Sequence, residues 1–309
     1  MPIADRPFKC SSSSSLQASA LLRFAAVAFA FALGLFWNPA ANPAASTELV
    51  RIVPGIYAAL QPFDGRFNDS NSTIIIGDNY VVVVDTQTTL TATRNIVDQI
   101  RKLTDKPVRF VINTHWHGDH VQGNQIYREA FPGVQFIAQT NTREDMEKRT
   151  AAELQDSVTN FPGQIERYQQ MLATGNGPNG QPLTDQQRQT VQMRVDIFSA
   201  QLPDLQQTKI VLPDVTFEQS LTIYQGAREI RLAHYLGHTR GDAVIYLPTE
   251  KILITGDLLD DMPYTGDGSP RELVTTLGEL DKLDFEIVIP GHGARTTIGQ
   301  ERETNPFLM

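Results

Sequence analysis

Cysteine is nearly absent from this 309-residue chain, and its single copy, Cys10, lies close to the amino terminus. A disulfide framework is therefore excluded, and so are a thiolate metal cage and a cysteine nucleophile in the body of the protein. Long apolar runs are scarce too. The longest, Phe24 to Trp37, is about 14 residues, short of the roughly 20 that a membrane-spanning helix needs. Positive charge is also in deficit: 26 Lys and Arg face 35 Asp and Glu, for a formal charge of −9. The first 46 residues carry +2 (Arg6, Lys9 and Arg23 against Asp5), leaving −9 − 2 = −11 on the rest. An acidic body does not attract phosphate backbones, so no nucleic-acid partner is expected.

The amino terminus has a pattern of its own. Arg6, Lys9 and Arg23 precede the apolar run, and Ala40, Ala41, Ala44, Ala45 and Ser46 follow it. Basic, apolar and small-residue regions in that order have the layout of a secretory signal peptide, assigned to residues 1–46, with cleavage expected near Ala45 or Ser46; an uncleaved anchor is the alternative. No apolar residues immediately precede Cys10, so it does not read as a lipid-attachment cysteine. The expected location is periplasmic or secreted, with membrane contact only through the export segment. An exported chain without disulfides depends on its core and on bound metal for stability.

Histidine is rare but concentrated. Of six in the chain, three fall in His115-Trp116-His117-Gly118-Asp119-His120, directly after the apolar stretch Val108 to Asn113. Neutral imidazoles and a carboxylate are the ligands zinc prefers in hydrolytic sites, and a strand end is rigid enough to aim them. Two further histidines have similar settings. His238 sits in Leu236-Gly237-His238-Thr239-Arg240-Gly241-Asp242, and His292 follows Ile287-Val288-Ile289-Pro290-Gly291. Between them, the apolar run Ile252 to Thr255 leads through Gly256 to Asp257. Four strand ends thus deliver a histidine or aspartate to a loop.

With Val81-Val82-Val83-Val84-Asp85 added at the front, five elements stand in order from about residue 47 to residue 295. In this the sequence resembles the metallo-β-lactamase superfamily, whose members are mostly dinuclear zinc hydrolases. The resemblance implies an α+β fold, a four-layer αββα sandwich, over residues 47–309. It also implies two zinc ions per chain. His115, His117 and His238 would hold the first, Asp119, His120 and His292 the second, and Asp257 would bridge them. A hydroxide between the ions would attack an ester- or amide-like bond of a small-molecule substrate: a lactone, thioester, phosphoester or β-lactam. Asp119 would in addition orient that nucleophile as a catalytic residue.

Outer residues follow on the same footing. Asp85 is expected to accept a hydrogen bond from a ligand imidazole and fix its tautomer. Asp242 is expected to do the same or to serve as a turn residue. Arg240 is a candidate for binding substrate charge, or a solvated loop charge. His234 reads as an ordinary packed histidine, and Trp116 as packing beneath its loop. In several antibiotic-hydrolysing relatives a cysteine stands where this chain has Asp257, and a lysine three residues later holds the drug carboxylate; here that later position is Asp260. A different chemistry, a mononuclear iron sulfur dioxygenase acting on persulfides, is the alternative. Diiron flavoprotein relatives usually carry glutamate at the position of His117, which argues against that branch. A non-catalytic module would have lost ligands, and none is lost here.

Periodicity supplies the elements. Glu48 to Leu60 and Ser72 to Asp85 read as strands turning at Gly77-Asp78-Asn79, with a polar loop, Phe63 to Asn71, between them. Ile96, Val97, Ile100 and Leu103 mark an amphipathic helix over Thr91 to Leu103. Residues 141–208 form a helical insertion, with Phe161, Ile165, Tyr168 and Leu172 on one helix and Val191, Val195, Phe198 and Leu202 on the other. It is either a packing extension or a wall of the pocket. Lys209 to Leu212, Leu221 to Tyr224, Glu229 to Ala233, Ala243 to Leu247 and Ile252 to Thr255 are expected as strands of the second half. A helix over Arg271 to Leu283 and a last strand over Ile287 to Ile289 follow. Only about 17 residues follow His292, where related chains often carry a further helix or two, so an incomplete closing helical layer is expected.

Overall fold

The computed structural model describes residues 47–61, 69–259 and 264–297. The export segment, most of the Phe63 to Asn71 loop, Asp260 and the last residues lie outside the described set. Among the described residues no helix is long and apolar enough to cross a membrane.

Two sheets organise the chain. The first contains, in spatial order, β1 (Leu49–Val53), β2 (Ile56–Ala59), β3 (Ser72–Ile76), β4 (Val81–Val84), β5 (Val108–Ile112), β6 (Gln135–Gln139) and β7 (Val215–Phe217). The second runs β13 (Thr296–Thr297), β12 (Ile287–Pro290), β11 (Ile252–Gly256), β10 (Asp242–Leu247), β9 (Arg228–Tyr235) and β8 (Ser220–Gln225). Alternation along the strands assigns the layers. In β4, Val82 and Val84 enter a core shared with Ile245, Ile252, Ile254 and Ile289 of the second sheet. Val81 and Val83 face the other way, toward Leu90, Ile96, Val97 and Ile100 of helix α1 (Leu90–Leu103) and Ile126 and Tyr127 of α3 (Asn124–Ala130). The second sheet mirrors this. Ile252 and Ile254 point inward, while Leu253 and Val288 pack on Leu273, Leu277 and Leu280 of α7 (Pro270–Leu280). A strand buried on both faces reads as a continuous apolar run, as Val81 to Val84 does. The result is the αββα sandwich.

Parallel pairing places the site. β4, β5, β6 and β7 pair in parallel, as do β11 and β12. Each parallel step needs a crossover, supplied by α1 between β4 and β5, by the segment holding α3 between β5 and β6, by the helical insertion between β6 and β7 and by α7 between β11 and β12, so successive strands end on the same side of their sheet. Asp85, the loop from His115, Asp257 and His292 all follow such carboxyl ends, where open α/β sheets place their ligands.

One expected strand is not there. Lys209 to Leu212 has no ladder, and the next strand, β7, joins the first sheet rather than the second. Pro213 lacks an N–H to donate, Lys209 N–H donates to the Gln125 side chain at 2.8 Å, and Val211 O accepts from Asn124 at 3.2 Å. Ile210 and Leu212 instead pack around Trp116. The apolar run is partly buried, with Val211 packing on the α1 and α3 side, but it serves side-chain burial without sheet pairing.

The helical insertion comprises α4 (Thr140–Asp145), a π-helical turn (Met146–Thr150), α5 (Ala151–Thr174) and α6 (Asp185–Leu205). α5 ends at Gly175 with φ 75°, a left-handed cap that glycine adopts without strain. α6 begins with a capping box between Thr184 and Gln187. Phe161 stacks on Phe198 at 4.2 Å between ring centres, tying the two helices together. Asp204 near the end of α6 accepts from Thr91 N–H at the start of α1, which anchors the pair to the sandwich.

Candidate metal centre

β5 ends at Ile112, and the chain is then pinned before it delivers its ligands. Asn113 N–H donates to Ile137 O at 2.9 Å, and its side-chain amide donates to His120 O at 3.1 Å. His117 caps the short helix α2 (Gly118–Val121), which carries Asp119 and His120. Trp116 is fully buried beside Val121 and Met146, with its carbonyl accepting from Thr150 Oγ1 at 2.6 Å.

Seven side chains converge in two groups. His115, His117, His238 and Asp257 form one; Asp119, His120 and His292 form the other. Within the first, His117 Nδ1 lies 3.1 Å from His115 Nε2 and 2.9 Å from His238 Nε2. Within the second, Asp119 Oδ2 is 3.1 Å from His292 Nε2 and 3.5 Å from His120 Nε2. Asp257 belongs to both. Its Oδ2 stands 3.4 Å from His238 Nε2, 3.7 Å from His115 Nε2 and 3.5 Å from His292 Nε2, and its Oδ1 stands 3.1 Å from His120 Nε2.

The outer contacts of the rings decide what they present inward. His238 Nδ1 faces the Tyr264 carbonyl at 2.7 Å, which can only accept, so this nitrogen carries the proton. His115 Nδ1 meets Thr114 Oγ1, whose own proton goes to Asp85 Oδ2 at 2.6 Å, so His115 donates there as well. His117 Nε2 meets Asp267 Oδ2 at 3.1 Å and donates. The three nitrogens that converge are therefore all lone pairs in the neutral rings. Lone pairs at such distances repel unless a cation sits among them. In the second group His120 Nδ1 donates to Asp85 Oδ2 at 2.8 Å, while its buried Nε2 and Asp257 Oδ1 make no hydrogen bond despite their proximity. Orphaned buried polar atoms are costly. The donor set and these orphans fit a pair of divalent cations.

Electrostatics point the same way. Burial, reinforced by the neighbouring imidazoles, lowers His115 and His238, the former well below the usual histidine range. Burial also opposes charge on His120 and His292. There the carboxylates outweigh it, holding His120 well above its ordinary value and pushing His292 up to about 12. Protons on the second group stand in for positive charge that the carboxylates demand. Asp257 is held well below the carboxylate range by His120 and His115, against the effect of burial. Access is one-sided. His115, His120 and His238 are buried, whereas the side chains of His117, Asp119 and His292 are 16%, 15% and 25% exposed and form the open face.

Outer residues divide. Asp85 has a left-handed backbone, φ 58°, and takes Thr114 N–H at 2.7 Å as well as the Thr114 hydroxyl and His120. Asp242 does not reach the His238 ring. It accepts from the backbone N–H groups of His238 and Thr239 and from the Thr239 hydroxyl, shaping the turn instead; burial pushes its pKa up to about 7. Arg240 stays half-exposed, but its guanidinium is already taken. Its guanidinium donates to Asp145 at 2.8 and 2.9 Å, to Glu144 at 3.1 Å and to Asn141 at 3.3 Å, all on α4. His234 meets Arg240 O at 3.1 Å. Asp260, whose charge bears on drug binding, lies outside the described residues.

Two residues without a sequence signal complete the rim. Asp267, in a Gly-Asp-Gly turn, pairs with His117 and with Arg149, and the His117 hydrogen bond comes first in holding its carboxyl below the ordinary range. Arg149 lies over the Trp116 ring at 3.9 Å from its centre. In sequence one looks like any turn and the other like any charged helix residue.

A sandwich whose strand ends gather seven histidine and aspartate side chains into two groups able to hold metal is the fold of a class of metalloenzymes. The chain belongs to the metallo-β-lactamase superfamily, whose family model matches residues 65–292. It is 23% identical over 239 residues to a linear primary-alkylsulfatase from a Pseudomonas strain, covering 74% of this chain and 42% of that protein. It is 35% identical over 107 residues to the hydroxyacylglutathione hydrolase GloC of Haemophilus influenzae, covering 31% of this chain and 49% of that one. The chain thus spans less than half the length of these curated relatives. A metallo-β-lactamase structure from Pontibacter korlensis shares the fold, with a TM-score of 0.59 at 18% identity over 84% of this chain and 98% of that one.

Proposed function

We propose that this protein is a hydrolase of small molecules carrying an ester- or amide-like bond, and that it works with two zinc ions. The observation that carries this reading is the position of Asp257, within 3.7 Å of ring nitrogens from both ligand groups. His115, His117 and His238 would hold one ion and Asp119, His120 and His292 the other, with Asp257 common to both. When bound, such ions ionise water near neutral pH and polarise the substrate's oxygen. The rest falls to the chain. Asp119, on the open face, orients the attacking water through its carboxylate. Asp85 keeps the His120 proton on Nδ1, so that Nε2 remains a donor to metal.

An aspartate at position 257, where lactam-hydrolysing relatives often have cysteine, favours thioesters, lactones and phosphoesters over β-lactams. The named relatives add sulfate esters and thioesters to the classes worth testing. With Arg240 occupied by α4, it does not supply the positive charge that a drug carboxylate needs. We further propose export, based on residues 1–46, with the mature protein beginning near Ser46; amino-terminal sequencing of the exported product tests this.

Metal analysis of the purified chain followed by a substrate panel tests the enzymatic reading. Two zinc ions per chain and chelator-sensitive turnover of a thioester, lactone, phosphodiester, alkyl sulfate or β-lactam are expected. One iron per chain with oxygen uptake on a persulfide would overturn it in favour of the dioxygenase.

A further inference from the structure

The three imidazoles of the first group differ in what holds them from behind. His115 leans on a threonine hydroxyl and His238 on the Tyr264 carbonyl, both neutral. His117 alone meets a carboxylate, Asp267, at 3.1 Å. A carboxylate behind a ligand histidine fixes its tautomer and raises its basicity toward metal. Asp267 comes from the Gly-Asp-Gly turn before α7, where the Tyr264 side chain also meets its carboxylate. The second oxygen is taken by Arg149 Nη2. Arg149 belongs to the π-helical turn that opens α5, and such turns recur at functional sites. Its guanidinium is laid flat on Trp116, the residue between ligands His115 and His117, and adjacent Thr150 holds the Trp116 carbonyl.

We propose that Asp267 is a positioning residue for His117, clamped by Arg149, and that the helical insertion is thereby part of the metal centre's wall rather than a packing extension. This rests on the zinc reading above. The chain of contacts runs from α5 through Arg149 and Asp267 to His117 Nδ1, on the exposed side of the site. Rotation of Asp267 would release His117 to the wrong tautomer, with its lone pair facing away from the other ligands. Arg149 prevents this by occupying the oxygen that His117 does not use.

The test uses the full chain and zinc itself, titrated in competition with a chromophoric chelator. Asp267→Asn is expected to weaken one of two zinc sites by about 10- to 100-fold while the other keeps its affinity. Asp267→Glu should recover part of the loss. Arg149→Met should weaken the same site less, Arg149→Lys less still, and the Asp267→Asn/Arg149→Met double variant should be no worse than Asp267→Asn alone. Wild-type affinity at both sites in Asp267→Asn, or additive losses in the double variant, overturns the proposal. A second measurement needs no metal. ¹⁵N NMR of the metal-free chain should find His117 protonated on Nε2 in the wild type and mixed in Asp267→Asn and Arg149→Met; an unchanged tautomer overturns the proposal. Absence of zinc uptake by the wild type would instead sink the zinc reading.

Discussion

Asp85 serves three partners from a backbone conformation most residues avoid. At φ 58° the peptide is in the left-handed region, which costs roughly 1 kcal/mol for a residue with an ordinary Cβ and less for Asp or Asn. Its carboxylate takes the Thr114 amide, the Thr114 hydroxyl and His120 Nδ1. Asp85→Asn and Asp85→Ala should both weaken zinc binding by about 10- to 100-fold, and only Ala should add the backbone cost. Metal titration and melting of the metal-free variants separate the two effects. Equal metal-free stability for Ala and Asn would contradict the backbone argument. Gly291 is a steric counterpart. A Cβ there would overlap Asp257 Oδ1 and crowd the Gly256 backbone. Gly291→Ala is expected to cost about 1–3 kcal/mol through overpacking and to lower zinc occupancy by displacing the shared carboxylate; thermal unfolding and zinc counting check both. The ligands were legible because histidine and aspartate at strand ends leave a local trace. Asp267 and Arg149 were not, since the contacts that join them to each other and to His117 span more than a hundred positions.

Elements reward period where burial is two-sided or one-sided in a regular way. Val81 to Val84 read correctly as a buried strand because each face meets apolar neighbours. Lys209 to Leu212 misled because an apolar run reports which side chains are buried, not whether the backbone finds a ladder. The paired helices α5 and α6 were legible from three- and four-residue spacing. Removing the Thr184 cap with Thr184→Ala should destabilise the α6 start by about 1 kcal/mol. Hydrogen exchange should quicken at Gln187 and its neighbours in α6, with zinc affinity unchanged. A loss of zinc would mean that the cap, and not only Arg149, couples the helices to the site.

For the molecule as a whole, metal and proton compete for the same groups. In the metal-free protein His292 holds its proton with a pKa near 12, against 6.5 for an ordinary histidine. That raised value contributes stability fully below about pH 6.5, and the contribution declines as pH rises toward 12. On the proposed zinc reading, the metal would displace this proton and the one on His120, so its affinity would rise with pH. Calorimetry with and without zinc should show a larger zinc-induced rise in Tm at pH 8 than at pH 6. A rise that is constant or shrinks with pH would contradict the assignment of His292 as a ligand.

The sequence alone determined the strand-end histidines and aspartates and their order along the chain, and through the family resemblance these carry it implied the sandwich. Apolar runs and strand-end histidines are local patterns, set by side-chain period and chemistry within a few residues. The tertiary structure decided which ring nitrogen each histidine turns inward, that Arg240 is spent on Asp145 and Glu144, and that Arg149 and Asp267 meet behind His117. The Arg240 and Asp267 outcomes depend on contacts between residues 95 to 150 positions apart, and the ring orientations of His238 and His120 on contacts 26 and 35 apart. Such contacts exist only once two sheets and an inserted helical pair have packed against one another, and no local pattern records them.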